Sequence, residues 1–133
     1  MLSYLLVALG SAIGGVSRFW LSGVIGRLFG ETFPWGTVIV NITGCFVIGV
    51  FATLTGTEGR VFVPGEWRQF FMIGICGGYT TFSSFSLQTL TLASGGEWLA
   101  AGMNVMLSVA LCLIAVWAGH ALAQWVNALE GAR

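Results

Sequence analysis

Four long apolar segments, separated by short polar ones, dominate the pattern of the chain. They cover residues 2 to about 28, 35 to about 54, about 67 to 93, and 98 to about 129. A helix needs about 20 mostly apolar residues to span the hydrocarbon core of a bilayer, and each segment reaches that length. The pattern therefore predicts an all-α membrane protein, with residues 1–133 forming a single domain of four transmembrane helices in the lipid bilayer.

The composition supports a lipid environment and excludes one class of partner. Hydrophobic residues make up 56% of the chain and charged residues 8%, whereas soluble domains carry about a quarter charged residues. The formal net charge is zero, so no basic surface indicates a nucleic acid. Most tryptophans lie near predicted helix ends, where they typically anchor helices at the membrane–water interface.

A polar stretch, GGYTTFSSFS at residues 77–86, interrupts the third apolar segment. The glycine pair Gly77 and Gly78 can unwind a helix, and carbonyl groups freed inside the bilayer are costly unless a cavity, water or an ion satisfies them. Unwound backbone at membrane depth commonly binds small cations such as sodium. We therefore predict a third helix that is broken near its middle; packing of small residues without a break is the alternative.

The residues after the glycines are suited to line a path for an anion. Phe82 and Phe85 share one helical face at i,i+3 spacing, and the positive edge of an aromatic ring can meet an anion. Ser83 and neighbouring hydroxyls can replace part of an anion's water shell without a full positive charge, which would bind the anion too tightly for conduction. Ordinary aromatic packing is the default explanation for two phenylalanines alone.

Three further polar residues are predicted at membrane depth, where such residues are costly and usually functional. Asn41 lies in the second segment; its amide cannot reach the interface, so a structural hydrogen bond between helices is its alternative role. Arg18 in the first segment can instead snorkel to the interface, and Ser108 in the fourth can instead bond to its own helix. Asn104 and Cys112 lie four residues either side of Ser108, on the same helical face.

The sequence contains no constellation typical of an enzyme or a metal centre. His120 is the single histidine, and the five Glu lie in predicted loops or at helix ends, so neither a nucleophile–base pair nor paired acids are visible. Cys45, Cys76 and Cys112 lie in apolar runs without metal-ligand spacing and are expected to be buried, reduced thiols. We therefore predict that the protein is not an enzyme.

Three motifs, GGYTTFSSFS, WGTVIVNITG and GGVSRFW, together resemble those of the Fluc (CrcB) family of bacterial fluoride channels. The resemblance covers nearly the whole chain and is most specific in the third segment. It implies a fluoride-selective channel that passively exports fluoride across the bacterial inner (plasma) membrane, lowers its cytoplasmic concentration and protects against its toxicity. It also implies an antiparallel, dual-topology homodimer with a structural, non-transported sodium ion (Na+) at its centre.

The resemblance also implies roles for individual residues. The main-chain carbonyls of Gly77 and Thr80 would bind the sodium ion, and Arg18 would lie near a water-filled vestibule. The expected fluoride pathway consists of Asn41, Phe82, Ser83, Phe85 and Ser108. Two features depart from the family pattern: Tyr79 replaces a smaller aliphatic residue, and Asn104 and Cys112 flank Ser108 in a track that is usually rich in hydroxyls.

The charge distribution permits insertion in both orientations. Four spans place both termini on one side of the membrane. Arg60, Arg68 and Arg133 then lie on that same side, and Arg27 lies on the other. The resulting positive-inside bias is slight.

Two alternative functions remain at this point. A small dual-topology multidrug-type transporter would need a carboxylate inside the membrane for proton coupling, and none is predicted. A non-transporting membrane scaffold would not require Asn41, a broken third helix and a polar stripe together.

Overall fold

The structure is a computed structural model that describes residues 1–131, and its regular elements there are all helical. The first two helices are α1 (Leu2–Phe29) and α2 (Trp35–Leu54). Helix α3 joins an α-helical turn (Gly65–Gln69), a π-helical stretch (Phe70–Cys76) and a final α-helical turn (Gly77–Tyr79). Helices α4 (Phe82–Ser94) and α5 (Trp98–Gly131) complete the chain.

Four helical segments in the described residues are long and apolar enough to cross a membrane: Leu2–Phe29, Trp35–Leu54, Gly65–Ser94 and Trp98–Leu129. The third of these comprises α3, a break and α4. The predicted all-helical architecture with a broken third span is therefore confirmed. Arg133, one of the basic residues considered for topology, lies outside the described residues.

Proline residues set the starts of two spans. The Pro34 carbonyl accepts a 3.1 Å hydrogen bond from the Val38 N–H as α2 begins. The Pro64 carbonyl accepts from the N–H groups of Trp67 and Arg68, both at 3.0 Å, so α3 begins at Gly65, slightly earlier than its apolar run. A proline at this position costs no helical hydrogen bond, because the first N–H groups of a helix have no partner within it.

Small residues bring α1 against α3. A Cβ atom on Gly10 would lie 2.6 Å from the Phe70 carbonyl oxygen, and one on Gly78 would lie 2.7 Å from the Ser11 carbonyl oxygen. Glycine is therefore required for the backbones to approach this closely. The contact holds α3 against α1 as far as the break.

Helices α2 and α5 form an extensive contact and pack in one register. One step is the 2.7 Å hydrogen bond between Thr53 Oγ1 and His120 Nδ1, and the next is Gly49, which packs against the Val116 carbonyl. One turn further along, the same register pairs Cys45 with Cys112. The members of each pair are 67 positions apart, and successive pairs are four residues apart, or about one turn. The two helices therefore run parallel, and the same register places Asn41 level with Ser108.

Candidate functional site

The third span is interrupted at Thr80 and Thr81, which have extended backbone conformations. Thr80 has φ −77° and ψ 154°, and Thr81 has φ −149° and ψ 112°. The N–H and the Oγ1 of Thr80 both donate to the Cys76 carbonyl oxygen, each at 2.9 Å, which closes the end of α3. Thr81 caps the next helix, because its Oγ1 accepts a 3.2 Å hydrogen bond from the Ser84 N–H.

The sequence predicts that the glycine pair unwinds the helix, but the break lies after the glycines. Gly77 is helical, with φ −66° and ψ −37°, and the α-helical turn continues to Tyr79. Gly78 instead permits the close approach of α1 described above. Gly78 therefore serves the packing of small residues, but the alternative of packing without a break is wrong, because the helix unwinds at Thr80.

Asn41 of α2 satisfies the polar backbone of the break. Its Oδ1 accepts a 2.7 Å hydrogen bond from the Thr81 N–H, and its Nδ2 donates a 3.0 Å hydrogen bond to the Thr81 carbonyl oxygen. The side chain is buried. The structural hydrogen bond between helices, left open by the sequence, is therefore present. An asparagine amide carries two N–H donors, so one of them is left over after the bond to Thr81.

The carbonyl groups of Gly77 and Thr80 are among those that lose their usual helical donors at the break. The Thr81 N–H, which would bond to the Gly77 carbonyl in a continuous helix, donates to Asn41 instead. The Ser84 N–H, which would bond to the Thr80 carbonyl, donates to the Thr81 hydroxyl. Carbonyl oxygens released in this way are the ligands that hard cations prefer. Gly77 and Thr80 therefore fit the donor set expected for a sodium ion.

A cavity of about 360 Å³ lies between α2, α3, α4 and α5. It brings together most of the predicted site residues, namely Asn41, Gly77, Thr80, Phe82, Phe85 and Ser108. The remaining residues of its wall include Gly44, Cys45, Ile48, Met72, Cys76, Thr81, Val109 and Cys112. Because it contains no charged side chain, the cavity combines apolar walls with neutral polar groups.

The two phenylalanines lie next to each other but differ in exposure. Their ring centroids are 5.1 Å apart and the ring planes are inclined by 55°. Phe85 is 8% exposed, whereas Phe82 is 76% exposed. Phe82 therefore closes the cavity wall only in part and presents most of its ring outside this chain.

A chain of polar side chains runs from Ser108 along the inner face of α5 to α4. The Ser108 Oγ donates to Asn104 Oδ1 at 3.4 Å, and Asn104 Nδ2 donates to Thr89 Oγ1 at 2.8 Å. The Thr89 hydroxyl in turn donates to the Phe85 carbonyl at 2.8 Å. Ser108 thus bonds to a side chain and not to the backbone of its own helix. Both Ser108 and Asn104 are buried.

Comparison with known proteins identifies the family. The family profile described as CrcB-like protein, Camphor Resistance (CrcB), matches residues 5–120. The chain belongs to the CrcB family.

Similar CrcB relatives span this chain almost completely. A protein of Paramagnetospirillum magneticum named fluoride-specific ion channel FluC is 66% identical over 127 residues, which cover 96% of this chain and 99% of the relative. Proteins of the same name are 63% identical in Rhodospirillum rubrum, covering 95% and 98%, and 57% identical in Opitutus terrae, covering 96% and 97%.

Two predicted residues of this CrcB chain lie outside the cavity wall. Ser83 is exposed at the start of α4, with its Oγ 3.3 Å from Thr81 Oγ1. Arg18 is half-buried on α1, one turn beyond Gly14, which packs against the end of α3. The structure therefore places both near the break but does not bring either into the cavity.

Sequence reasoning missed Thr89 altogether, and it considered Thr81 only as one of the hydroxyl donors. Thr89 links α4 to Asn104, and Thr81 supplies the backbone that Asn41 binds. Thr89 lies four residues after Phe85, a spacing that places it on the same helical face and could have indicated its role. Nothing in the residue pattern indicates the π-helical stretch Phe70–Cys76 that precedes the break.

Proposed function

We propose that this protein is a fluoride-specific channel that passively exports fluoride across the bacterial inner membrane and so lowers its cytoplasmic concentration. The observation that carries the proposal is the cavity that joins Asn41, Phe82, Phe85 and Ser108 beside the break in the third span. The name of the relatives in Paramagnetospirillum magneticum and Rhodospirillum rubrum, fluoride-specific ion channel FluC, supports the same function.

The chemistry of the cavity suits a small anion that has to leave again. Asn41 retains an N–H donor after its bond to Thr81. The Ser108 hydroxyl makes only a long, 3.4 Å bond to Asn104, so it can turn toward an anion at little cost. The edges of Phe82 and Phe85 add weak positive charge. Neutral donors of this kind bind an anion without holding it permanently.

The N-terminus of α4 adds to the anion preference. This helix is 13 residues long and starts at Phe82, so its positive end lies at the edge of the cavity. We assign Ser83, in the first turn, to the same pathway beyond the cavity. Arg18 on α1 is assigned to the vestibule, where a half-buried cation would raise the local concentration of fluoride.

A structural sodium ion is the proposed occupant of the break. The carbonyl oxygens of Gly77 and Thr80 would bind it, because their usual helical donors are used elsewhere. Bound there, the ion would supply a fixed positive charge that satisfies the freed carbonyl groups and is not transported. The Thr80 hydroxyl donates to the Cys76 carbonyl, and the oxygens proposed to bind sodium are those of the main chain.

The proposed assembly is an antiparallel, dual-topology homodimer. Two carbonyl oxygens per chain are too few for a hard cation, and a second copy would supply two more. The 76% exposure of Phe82, a residue of the candidate pathway, supports a second subunit against this face. So does the open space around Gly77, where the nearest atom to an added Cβ is the Met72 carbonyl oxygen at 3.7 Å.

The alternative of a proton-coupled multidrug-type transporter is not favoured by the acidic residues whose side chains the structure describes. Glu31, Glu58, Glu66 and Glu97 are all exposed in loops or in the first turn of a helix. A carboxylate that takes up protons during transport would lie within a span. A scaffold without transport would leave the cavity and its polar groups without a role.

Efflux from liposomes that contain only this protein tests the proposal. Fluoride release should follow its own gradient and continue after a protonophore has removed any proton gradient. Export that requires a proton gradient would favour the transporter, and no release of fluoride from correctly folded protein would favour the scaffold.

A further inference from the structure

Three cysteines line the cavity without a part in the proposed conduction. Cys45, Cys76 and Cys112 are all free thiols. Cys45 on α2 and Cys112 on α5 lie at the same level of the α2–α5 register, and both line the cavity. Cys76, on α3, is buried, and its carbonyl closes the end of that helix. The chain thus has one pair of thiols at the same level of two helices, and the thiol of Cys76 serves as a control in the experiments below.

The register of α2 and α5 fixes where the thiol pair lies. It is one turn from the level of Asn41 and Ser108, both of which line the same cavity. On its other side, also one turn away, the Gly49 backbone packs directly against the Val116 carbonyl. The two helices are therefore held close at the pair, and a ligand that bridges both sulfur atoms lies beside the candidate pathway.

The surroundings select the kind of ligand. Side chains of Ile48, Met72 and Val109 also form the wall. Of these, only Met72 offers a ligand atom, a soft thioether sulfur, while the oxygen atoms of Asn41 and Ser108 lie one turn away. Thiolates prefer soft cations. No group of three or more His, Cys, Asp or Glu side chains suited to a metal occurs within residues 1–131, so a tetrahedral zinc ion would lack ligands. An ion that is satisfied by two sulfur atoms is required.

The charge of the ion decides which of the soft cations that bind two ligands suits this site. Two thiolates neutralise a divalent ion, whereas a monovalent ion such as Ag⁺ or Cu⁺ would leave a net negative charge at membrane depth. Burying an uncompensated charge is costly. The mercuric ion, Hg²⁺, is soft, divalent and stable with two thiolate ligands in line, so it meets both conditions.

We propose that Cys45 and Cys112 form a binding site for Hg²⁺, and that its occupation obstructs the fluoride pathway; the second part rests on the proposed function. On binding, two S–H bonds are replaced by two S–Hg bonds, and two protons are released to water. Mercury remains in its +2 state, and no electrons are transferred.

Titration of the purified full-length protein with mercuric chloride tests the site directly. One equivalent per chain should lower the number of free thiols, counted after the protein is unfolded, from three to one, release two protons and produce the ultraviolet absorption of a mercury–dithiolate. Cys76→Ala should behave in the same way, apart from its missing thiol. Cys45→Ala or Cys112→Ala should weaken binding by about a hundredfold or more, because the second thiol is no longer held nearby. Unchanged binding in these two variants, or loss of the signal in Cys76→Ala, would refute the site.

Measurements of fluoride efflux test whether mercury bound at the thiol pair obstructs the pathway, independently of whether it binds. Each variant is compared with its own rate before mercury is added. Wild type and Cys76→Ala should lose most of their efflux at one equivalent and recover it with a dithiol chelator, whereas Cys112→Ala should keep its rate. If the mercury–dithiolate forms without loss of fluoride efflux, the proposal that mercury obstructs the pathway is refuted. Protein that binds mercury as expected but never conducts fluoride would instead contradict the proposed function.

Discussion

The side chain of Asn41 pairs with the backbone of Thr81 through two hydrogen bonds, one of 2.7 Å to the N–H and one of 3.0 Å from the amide to the carbonyl. The Asn41 amide thereby satisfies both backbone groups of the extended residue Thr81, as a neighbouring β-strand would. A peptide group at membrane depth would otherwise remain unsatisfied at considerable cost. Asn41 is therefore both a structural support of the break and a wall residue of the cavity.

Asn41→Asp should abolish fluoride efflux. The carboxylate still accepts from the Thr81 N–H, but it cannot donate to the Thr81 carbonyl and adds negative charge beside an anion path. Loss of the buried donor should also lower the free energy of unfolding by about 1–3 kcal/mol. Efflux from liposomes and unfolding in detergent measure the two effects separately. Normal efflux by this variant would remove Asn41 from the pathway.

Phe82→Ile and Phe85→Ile should both reduce fluoride efflux severely, because each removes the positive ring edge at similar bulk. Their stabilities should differ. Phe85 is 8% exposed and its replacement should cost about 1 kcal/mol, whereas Phe82 is 76% exposed in the single chain and its replacement should cost the subunit little. If both variants assemble and conduct like wild type, the ring edges have no part in conduction.

Gly77→Ala and Gly78→Ala form a matched pair that separates the break from the packing of α1. A Cβ at position 78 would lie 2.7 Å from the Ser11 carbonyl oxygen, so this variant should fold poorly. At position 77 the nearest atom is 3.7 Å away, so the subunit should fold normally. If Gly77 lies at the dimer centre, its variant should nevertheless lose dimerisation or efflux. A fully active Gly77→Ala dimer would argue against that position.

Thr80→Ser should have little effect, since it keeps the main-chain carbonyl and the hydroxyl that donates to Cys76. Sodium dependence tests the carbonyl site itself. Long equilibration of the purified protein with a large organic cation in place of sodium should slowly abolish fluoride efflux, and added sodium should restore it. Undiminished efflux after complete removal of sodium, or a steady sodium current through the protein, would refute a structural ion.

The sequence predicted the four spans and the broken third span, because their signals are local: apolar runs of sufficient length and a polar stretch inside one of them. It misplaced the start of the break, since Gly78 is needed against Ser11 and remains helical. That contact joins residues far apart in the chain and leaves no local pattern. The parallel register that places Cys45 level with Cys112 is equally non-local, and so is the pairing of Asn41 with Thr81.

The most direct test of the account is a current measurement across a bilayer that contains the purified protein, with high fluoride and low chloride on one side and low fluoride and high chloride on the other. A fluoride-specific channel predicts a current that reverses at a potential set by fluoride alone, carried mostly by fluoride, and abolished in Asn41→Asp. A current that reverses where chloride and fluoride permeate equally, or one that persists unchanged in Asn41→Asp, would contradict the account.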